Sequence, residues 1–379
     1  MTDNKASLIT VSIMVKNESL SIQSTLSSFF SAGIRNFFVL DTGSTDNTIQ
    51  LVEDFLQAHS LTGYLQQEPF IDFASSRNRT LELAEQHFPE SVFFLMPDAE
   101  WYLYHADELL QFCEQEKDKE TPLYLVTAKM NTMEFKIPRL FRSSKRIRFK
   151  GVVHEVPELI AKLEVPAPTY IEVKSSRQGI EKSKQRWQQD LKLLAKACQD
   201  NPDDPRTAFY YAQTYECLGM LEQAYQQYLL REKINGWDEE NFITCFRLGY
   251  LADKLSKLNK NYSWATAMEH YLRAFSLRPH RIEPLLNIAE HYWPNNIQTC
   301  YLFARHIYDL PYPQNDLLFV EKEMYIYKRY EIMSRCAWYM GEYALGEEAT
   351  LRALQVHPNM EHLHRNLKLY QEKVLANVG

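Results

Sequence analysis

The chain has 379 residues, more than one ordinary hydrophobic core uses, so two domains are expected. With 45% hydrophobic and 24% charged residues, and only 11 Gly and 16 Pro, it is globular, which excludes a disordered or collagen-like chain. A net charge of −7 supplies no positive field for polyphosphate, so neither nucleic acid nor an anionic membrane is an expected partner.

The N-terminus, MTDNKASL, has an acidic residue and lacks a long apolar stretch, which argues against a signal peptide. The longest apolar runs, such as Val92 to Met96, are too short to cross a bilayer. Cys113, Cys198, Cys217, Cys245, Cys300 and Cys336 form no CxxC pair and all fall in segments that read as helical. They read as small apolar core residues of a reducing compartment. The expectation is a protein without a transmembrane segment, cytoplasmic where it is made.

From Leu8 to about Val173 short apolar runs alternate with amphipathic stretches. LITVSIMV, FFVLD and SVFFLM read as buried strands, and Ser21 to Ala32, Thr48 to Ala58 and Ser76 to Gln86 as helices between them. That alternation predicts an α/β domain with a mostly parallel, Rossmann-like sheet, whose ligands sit beyond the carboxyl ends of the strands. The stretch Arg146 to Lys150 alternates strictly and reads first as a strand with its basic face outward, and second as a phosphate or acceptor contact.

From about Glu181 the strand signal ends and consecutive amphipathic helices follow. Ala208, Tyr211, Ala212 and Tyr215, then Gly219, Ala224 and Tyr228, keep the spacing of a tetratricopeptide hairpin. A second copy runs through Cys245, Leu248, Gly249 and Ala252 to Ala267, Tyr271, Ala274 and Pro279, with a longer loop. A third, Leu285 to Tyr308, is degenerate, and a fourth spans Met333 to Pro358. His362 to Leu375 would cap the stack. An irregular helical bundle is the other reading of this half. The expected organisation is residues 1–175 as the α/β domain, 176–204 as a connecting helix and 205–379 as all-α tetratricopeptide-like repeats.

Four polar segments fall at the predicted strand ends: Lys16-Asn17-Glu18, the run from Asp41 to Asp46, the run from Asp72 to Asn78, and Asp98-Ala99-Glu100. Singly each has an ordinary reading as a turn, a helix cap or a solvated surface. Their succession at one edge of a sheet points to a nucleotide-sugar site. Asp41 can accept hydrogen bonds from base or ribose, and Arg77 offers planar donors to a base carbonyl or phosphate. Asp98 and Glu100, one residue apart, can share a divalent cation that neutralises a departing diphosphate. Further on, His154 is either a third metal ligand or a hydrogen-bonded structural histidine, and Glu155 a general base for an acceptor hydroxyl, with Asp72 the second choice.

KNE, DTGSTDNT, DFASSRN, DAE, PRLFR and HE, in this order, resemble the family 2 glycosyltransferases of the GT-A fold, in particular the bacterial subgroup fused to tetratricopeptide repeats. The resemblance covers nearly the whole chain. It implies an inverting, single-displacement transfer from a nucleotide-diphosphate sugar, usually a UDP-sugar, with Mg²⁺ or Mn²⁺. It also implies that Asn17, Glu18, Asp41, Ser44, Arg77 and Asp98 hold the donor, Asp98 and Glu100 the metal, and Glu155 the base position. Two departures stand out. The family's DADE is DAEW here, and its histidines ahead of the first long helix are replaced by Ser175-Ser176-Arg177-Gln178-Gly179-Ile180, which would leave His154 as the remaining imidazole.

The repeat half is expected to bind a protein, peptide or glycan acceptor or to support a homo-oligomer. The rival from another class is a catalytically lapsed glycosyltransferase-like scaffold acting as a protein-binding module. A nucleotidyltransferase ranks last, because VSIMVKNES lacks a glycine-rich phosphate loop.

Overall fold

The computed structural model describes residues 8–130, 133–158, 162–174, 179–258 and 261–378. The chain divides into two compact units, Met1–Ala197 and Cys198–Gly379. Elements are numbered in chain order.

In the first unit, β1 (Ile9–Val15) and β2 (Asn36–Asp41) are near-continuous apolar runs because helices cover both faces of the sheet. Alternation along β2 sends Phe37 and Val39 into one core, with Leu26 and Phe29 of α1 (Ile22–Ser31) and Val52 and Phe55 of α2 (Thr48–Ala58). Phe38 and Leu40 point the other way, into a second core with Leu81 and Ala84 of α3 (Phe73–His87). Between α2 and α3 lies β3 (Thr62–Gln67), a strand the apolar pattern did not announce. It contains no fully buried residue, as suits the edge of the sheet.

The remaining strands are β4 (Phe93–Leu95), β5 (Trp101–Tyr104), β6 (Leu123–Met130), β7 (Met133–Arg142), β10 (Lys162–Glu164) and β11 (Tyr170–Val173), with α4 (Ala106–Glu116) between β5 and β6. The order is β3-β2-β1-β4-β7-β6-β11-β5, with β10 beside β6. β1, β2, β3 and β4 are mutually parallel, but β7 runs antiparallel to both β4 and β6, and β5 antiparallel to β11. The sheet is therefore mixed, where the sequence pattern had suggested a mostly parallel one. The cause is the link from Met130 to Met133, which is too short for anything but an antiparallel return.

The basic stretch Arg146 to Lys150 is extended only at its end. There β8 (Phe149–Lys150) pairs with β9 (Val156–Pro157). Arg146 sits at φ +45° after a 3₁₀ turn, and Arg148 pairs with Glu85 of α3 at 2.9 Å. The first unit ends in α5 (Gly179–Asp200), which carries across the boundary. Residues Ser175 to Gln178, where the family's histidines are replaced, lie outside the described residues.

The second unit is a succession of packed helices. α6 (Pro205–Cys217) starts on Asp204, whose carboxylate accepts from Arg206 N and Thr207 N, and has proline in its first turn. It turns at Gly219 (φ +74°) into α7 (Leu221–Arg231), and fully buried Ala212 and Ala224 let the pair approach closely. α8 (Asp238–Leu258) and α9 (Trp264–Leu277) repeat the device, with Gly249 against the Tyr271 ring. α10 (Glu283–Tyr292) packs on α11 (Ile297–Ile307), and α12 (Arg329–Cys336) on α13 (Tyr343–Val356), with α14 (Glu361–Val378) last. The extended chain before α12 is pinned by fully buried Arg281, which bonds Glu283, Asp316 and the carbonyls of Leu318 and Phe319. No described helix of either unit is long and apolar enough to cross a membrane.

Candidate functional site

Two groups of polar residues form at the carboxyl ends of the parallel strands. The first joins the ends of β1 and β2. Asp41, the last residue of β2, is almost fully buried, and its Oδ1 accepts from the backbone N–H groups of Gly43 and Ser44, both at 3.0 Å. Gly43 takes φ +102°, a conformation that folds the loop back onto the carboxylate and that glycine adopts without strain. Asn17 donates its backbone N–H to Ser44 Oγ at 2.8 Å, and its Oδ1 accepts from Thr45 N at 2.7 Å. Glu18 donates its backbone N–H to Thr48 Oγ1 and accepts on its side chain from Ser21. Asp46 accepts from Ser19 N and from the N–H and hydroxyl of Thr48. Desolvation works against its charge, but these hydrogen bonds outweigh it and hold the carboxyl at about 2. The DTGSTD run is thus a self-bonded loop in which one atom is left over. Asp41 Oδ2 is buried and has no hydrogen-bond partner among the described residues.

The second group is ionic. Arg77 projects from α3, its side chain only 5% exposed, and donates through Nη2 to Asp98 Oδ1 at 2.6 Å and through Nε to Glu155 Oε1. Arg139, from β7, stands 3.6 Å from Asp98 Oδ2 and 3.9 Å from Glu155 Oε1. The antiparallel course of β7 brings it there, since Met96 N, just past β4, donates to Arg139 O at 2.9 Å. Asn78, beside Arg77, exchanges two hydrogen bonds with the backbone of Phe149, while Phe73 N donates to Val152 O. These ties fix the turn through Gly151 (φ +97°) that carries Glu155 onto Arg77.

Charge balance follows from this packing. Burial opposes ionisation of Arg77, but Asp98 and Glu155 outweigh it and raise the guanidinium above its ordinary value. Burial likewise opposes the charge of Asp98, yet Arg77 and Arg139 hold its carboxyl below the usual range. Arg139 is lowered to about 10 by burial and by the like charge of Arg77, against the pull of both carboxylates. Two buried donors in this group, Arg77 Nη1 and Arg139 Nε, have no partner among the described residues.

Of the residues singled out in the sequence, the structure brings Arg77, Asp98 and Glu155 together, and Asn17, Asp41 and Ser44 together. Asp72 serves as the N-cap of α3: its Oδ1 accepts from Ser75 N and its Oδ2 from Ser75 Oγ, both at 2.7 Å. Glu100 takes φ +67°, with its N–H on Thr25 Oγ1 and its carbonyl receiving Lys174 N. His154 is exposed, at φ +52°. Asp98, Glu100 and His154 form no ligand cluster among the described residues. No grouping of three or more His, Cys, Asp or Glu able to hold a metal exists among the described residues. Asp98 faces two guanidiniums here, so the described residues offer a divalent cation no three-residue ligand set.

Two residues of the site carried no assigned role in the sequence. Arg139 lay in the quoted PRLFR motif, and only strand direction places it beside Asp98. Asp190 of α5 is 4% exposed with Oδ1 unpartnered among the described residues. Burial pushes its carboxyl up to about 6, opposed by Arg186 and assisted by Glu155, which puts it within electrostatic reach of the ionic group. The signal for it was a carboxylate one helical turn before buried Leu194 on the apolar stripe of α5.

No family model matches the chain, and no curated protein matches it. Solved structures similar to it include S. aureus TarS 1–349 in complex with UDP, at 15% identity over 82% of this chain and 94% of that one, with a TM-score of 0.36. Pseudomonas aeruginosa PilF is similar at 14% identity over 48% of this chain and 72% of that one, TM-score 0.36. A thermophilic TPR protein of Thermus thermophilus is similar at 16% identity over 50% and 93%, TM-score 0.32. At TM-scores this low the likenesses decide neither fold nor function, and the weight rests on the residues themselves.

Proposed function

We propose that the first unit is a GT-A-type glycosyltransferase domain of the family 2 kind, which binds a nucleotide-diphosphate sugar, by preference a UDP-sugar, and transfers the sugar with inversion. One observation carries the reading: the two polar groups have opposite unmet demands. Among the described residues, a buried acceptor at the end of β2, Asp41 Oδ2, lacks a donor, and beyond the end of β4 two buried donors, Arg77 Nη1 and Arg139 Nε, lack acceptors. β1 lies between β2 and β4, so the two groups open on the same edge of the sheet. A nucleoside diphosphate offers N–H and O–H donors at one end and anionic oxygens at the other. Asn17 and Ser44 shape the loop that Asp41 anchors, and Glu18 braces it through Thr48.

Transfer is a single displacement. Arg77 occupies Glu155 Oε1, so Oε2 takes the proton of the acceptor nucleophile. That nucleophile forms its bond to the anomeric carbon as the bond to the diphosphate oxygen breaks, and the nucleoside diphosphate leaves with the electron pair. The helical unit, whose hairpins have tetratricopeptide-like spacing, then serves acceptor binding, partner binding or self-association.

The test is release of nucleoside diphosphate from a panel of UDP- and GDP-sugars, with and without Mn²⁺, by wild type and Glu155→Gln. One donor is expected to be hydrolysed, and Glu155→Gln to bind it normally while turnover falls by about 10²–10⁴-fold. Failure of every donor to bind or react leaves the scaffold reading. Full activity of Glu155→Gln removes it as base.

A further inference from the structure

This inference rests on the nucleotide reading and concerns what meets the charge of the diphosphate. We propose that the guanidinium groups of Arg77 and Arg139 take the diphosphate directly, with no divalent cation bridging phosphate and protein.

The unmet demand of the ionic group has a sign. Among the described residues, the buried, unpartnered atoms of Arg77, Arg139, Asp98 and Glu155 are N–H donors, Arg77 Nη1 and Arg139 Nε. A phosphate oxygen satisfies a guanidinium donor and a cation cannot. The local charge agrees. Asp98 and Glu155 contribute two negative charges, Arg77 and Arg139 two positive ones, and all four interact within 3.9 Å or less. Within these four residues no negative excess is left to hold a dication. The ligand supply agrees as well. A hard cation needs several oxygen ligands, whereas Asp98 faces two guanidiniums and residues 175–180 contain no histidine.

The geometry also supplies an exchange. Arg77 is 5% and Arg139 12% exposed, but Asp98 is 35% exposed. An arriving phosphate displaces the Asp98 carboxylate toward water and inherits its partners, so neither buried cation is left unpaired at any stage. Arg139 is then a diphosphate-binding residue, and Asp98 holds the pair in register until the donor arrives.

Calorimetric titration of UDP and of uridine into the full chain tests this, in EDTA and then in Mn²⁺, with wild type, Arg139→Gln and Arg139→Lys. Wild type is expected to bind UDP equally in both buffers. Arg139→Gln is expected to weaken UDP in EDTA by about tenfold or more with uridine unchanged, and Arg139→Lys to weaken it less. Binding of UDP that requires Mn²⁺ overturns the proposal and leaves the nucleotide reading standing. Binding of neither UDP nor GDP in either buffer overturns the nucleotide reading itself. Should Arg139→Gln fail to fold, the wild-type comparison between EDTA and Mn²⁺ still decides. A folded Arg139→Gln with unaltered UDP affinity in EDTA refutes the role of Arg139.

Discussion

Replacing Arg77 with methionine removes the cation that joins two carboxylates, and its cost can be worked from exposure. The Glu155 arm is buried on both sides, at 5% and 9% exposure, and breaking such a pair by deleting one partner costs about 3–5 kcal/mol. The Asp98 arm is one-third exposed, so water screens it and it adds at most about 1 kcal/mol. Arg139 remains 3.9 Å from Glu155 Oε1 and keeps that carboxylate partly compensated, which pulls the total to about 3 kcal/mol. In a unit the size of Met1–Ala197 that corresponds to a fall of roughly 6–12 °C in its thermal midpoint. Scanning calorimetry of the full chain reads this as a lower thermal midpoint. Adding Glu155→Gln to the methionine variant should restore part of the loss, because the stranded charge disappears with it. A single variant within about 1 kcal/mol of wild type, or a double variant no more stable than the single, would refute the claim that the pair is a buried and mutually dependent unit.

Asp41→Asn places a donor where, among the described residues, a buried acceptor lacks one, and should weaken UDP by about tenfold or more in calorimetry; unchanged affinity would remove Asp41 from the nucleotide site. Asp190 has its carboxyl raised to about 6 when folded, above the ordinary 3.8, so the native state binds more protons between those values and stability declines as pH rises through that window. Asp190→Asn should therefore match wild type near pH 4 and exceed it by about 1–3 kcal/mol at pH 7, and midpoints that stay parallel across that range would contradict this. Gly249→Ala puts a methyl group 2.6–2.9 Å from three ring carbons of Tyr271, which is 1% exposed; the overpacking should cost about 1–3 kcal/mol, and an unchanged denaturation midpoint of the helical unit would refute it.

Much of the architecture was legible locally. Thr48–Ala58 is a helix with the bounds its periodicity predicts, and the buried runs that become β1, β2 and β4 stood out because strands covered on both faces are apolar throughout. β3 was not legible, since an edge strand with no fully buried residue has no such run. The small residues Ala212, Ala224 and Gly249 announced close helix pairs because only their lack of bulk permits the approach.

The site divides along the same line. Caps, turns and strand ends depend on neighbours a few residues away, so the sequence by itself determined where polar loops would gather and that Asp41, Arg77, Asp98 and Glu155 were worth watching. What Asp98 faces was decided only in three dimensions. Its partner Arg77 is 21 residues distant, Glu155 lies 78 residues from Arg77, and Arg139 arrives because β7 runs antiparallel to β4. A carboxylate reads the same in a sequence whether it meets a cation or a guanidinium. In the folded chain Asp98 lies beside two guanidiniums, because electrostatic pairing depends on distance through space and not along the backbone.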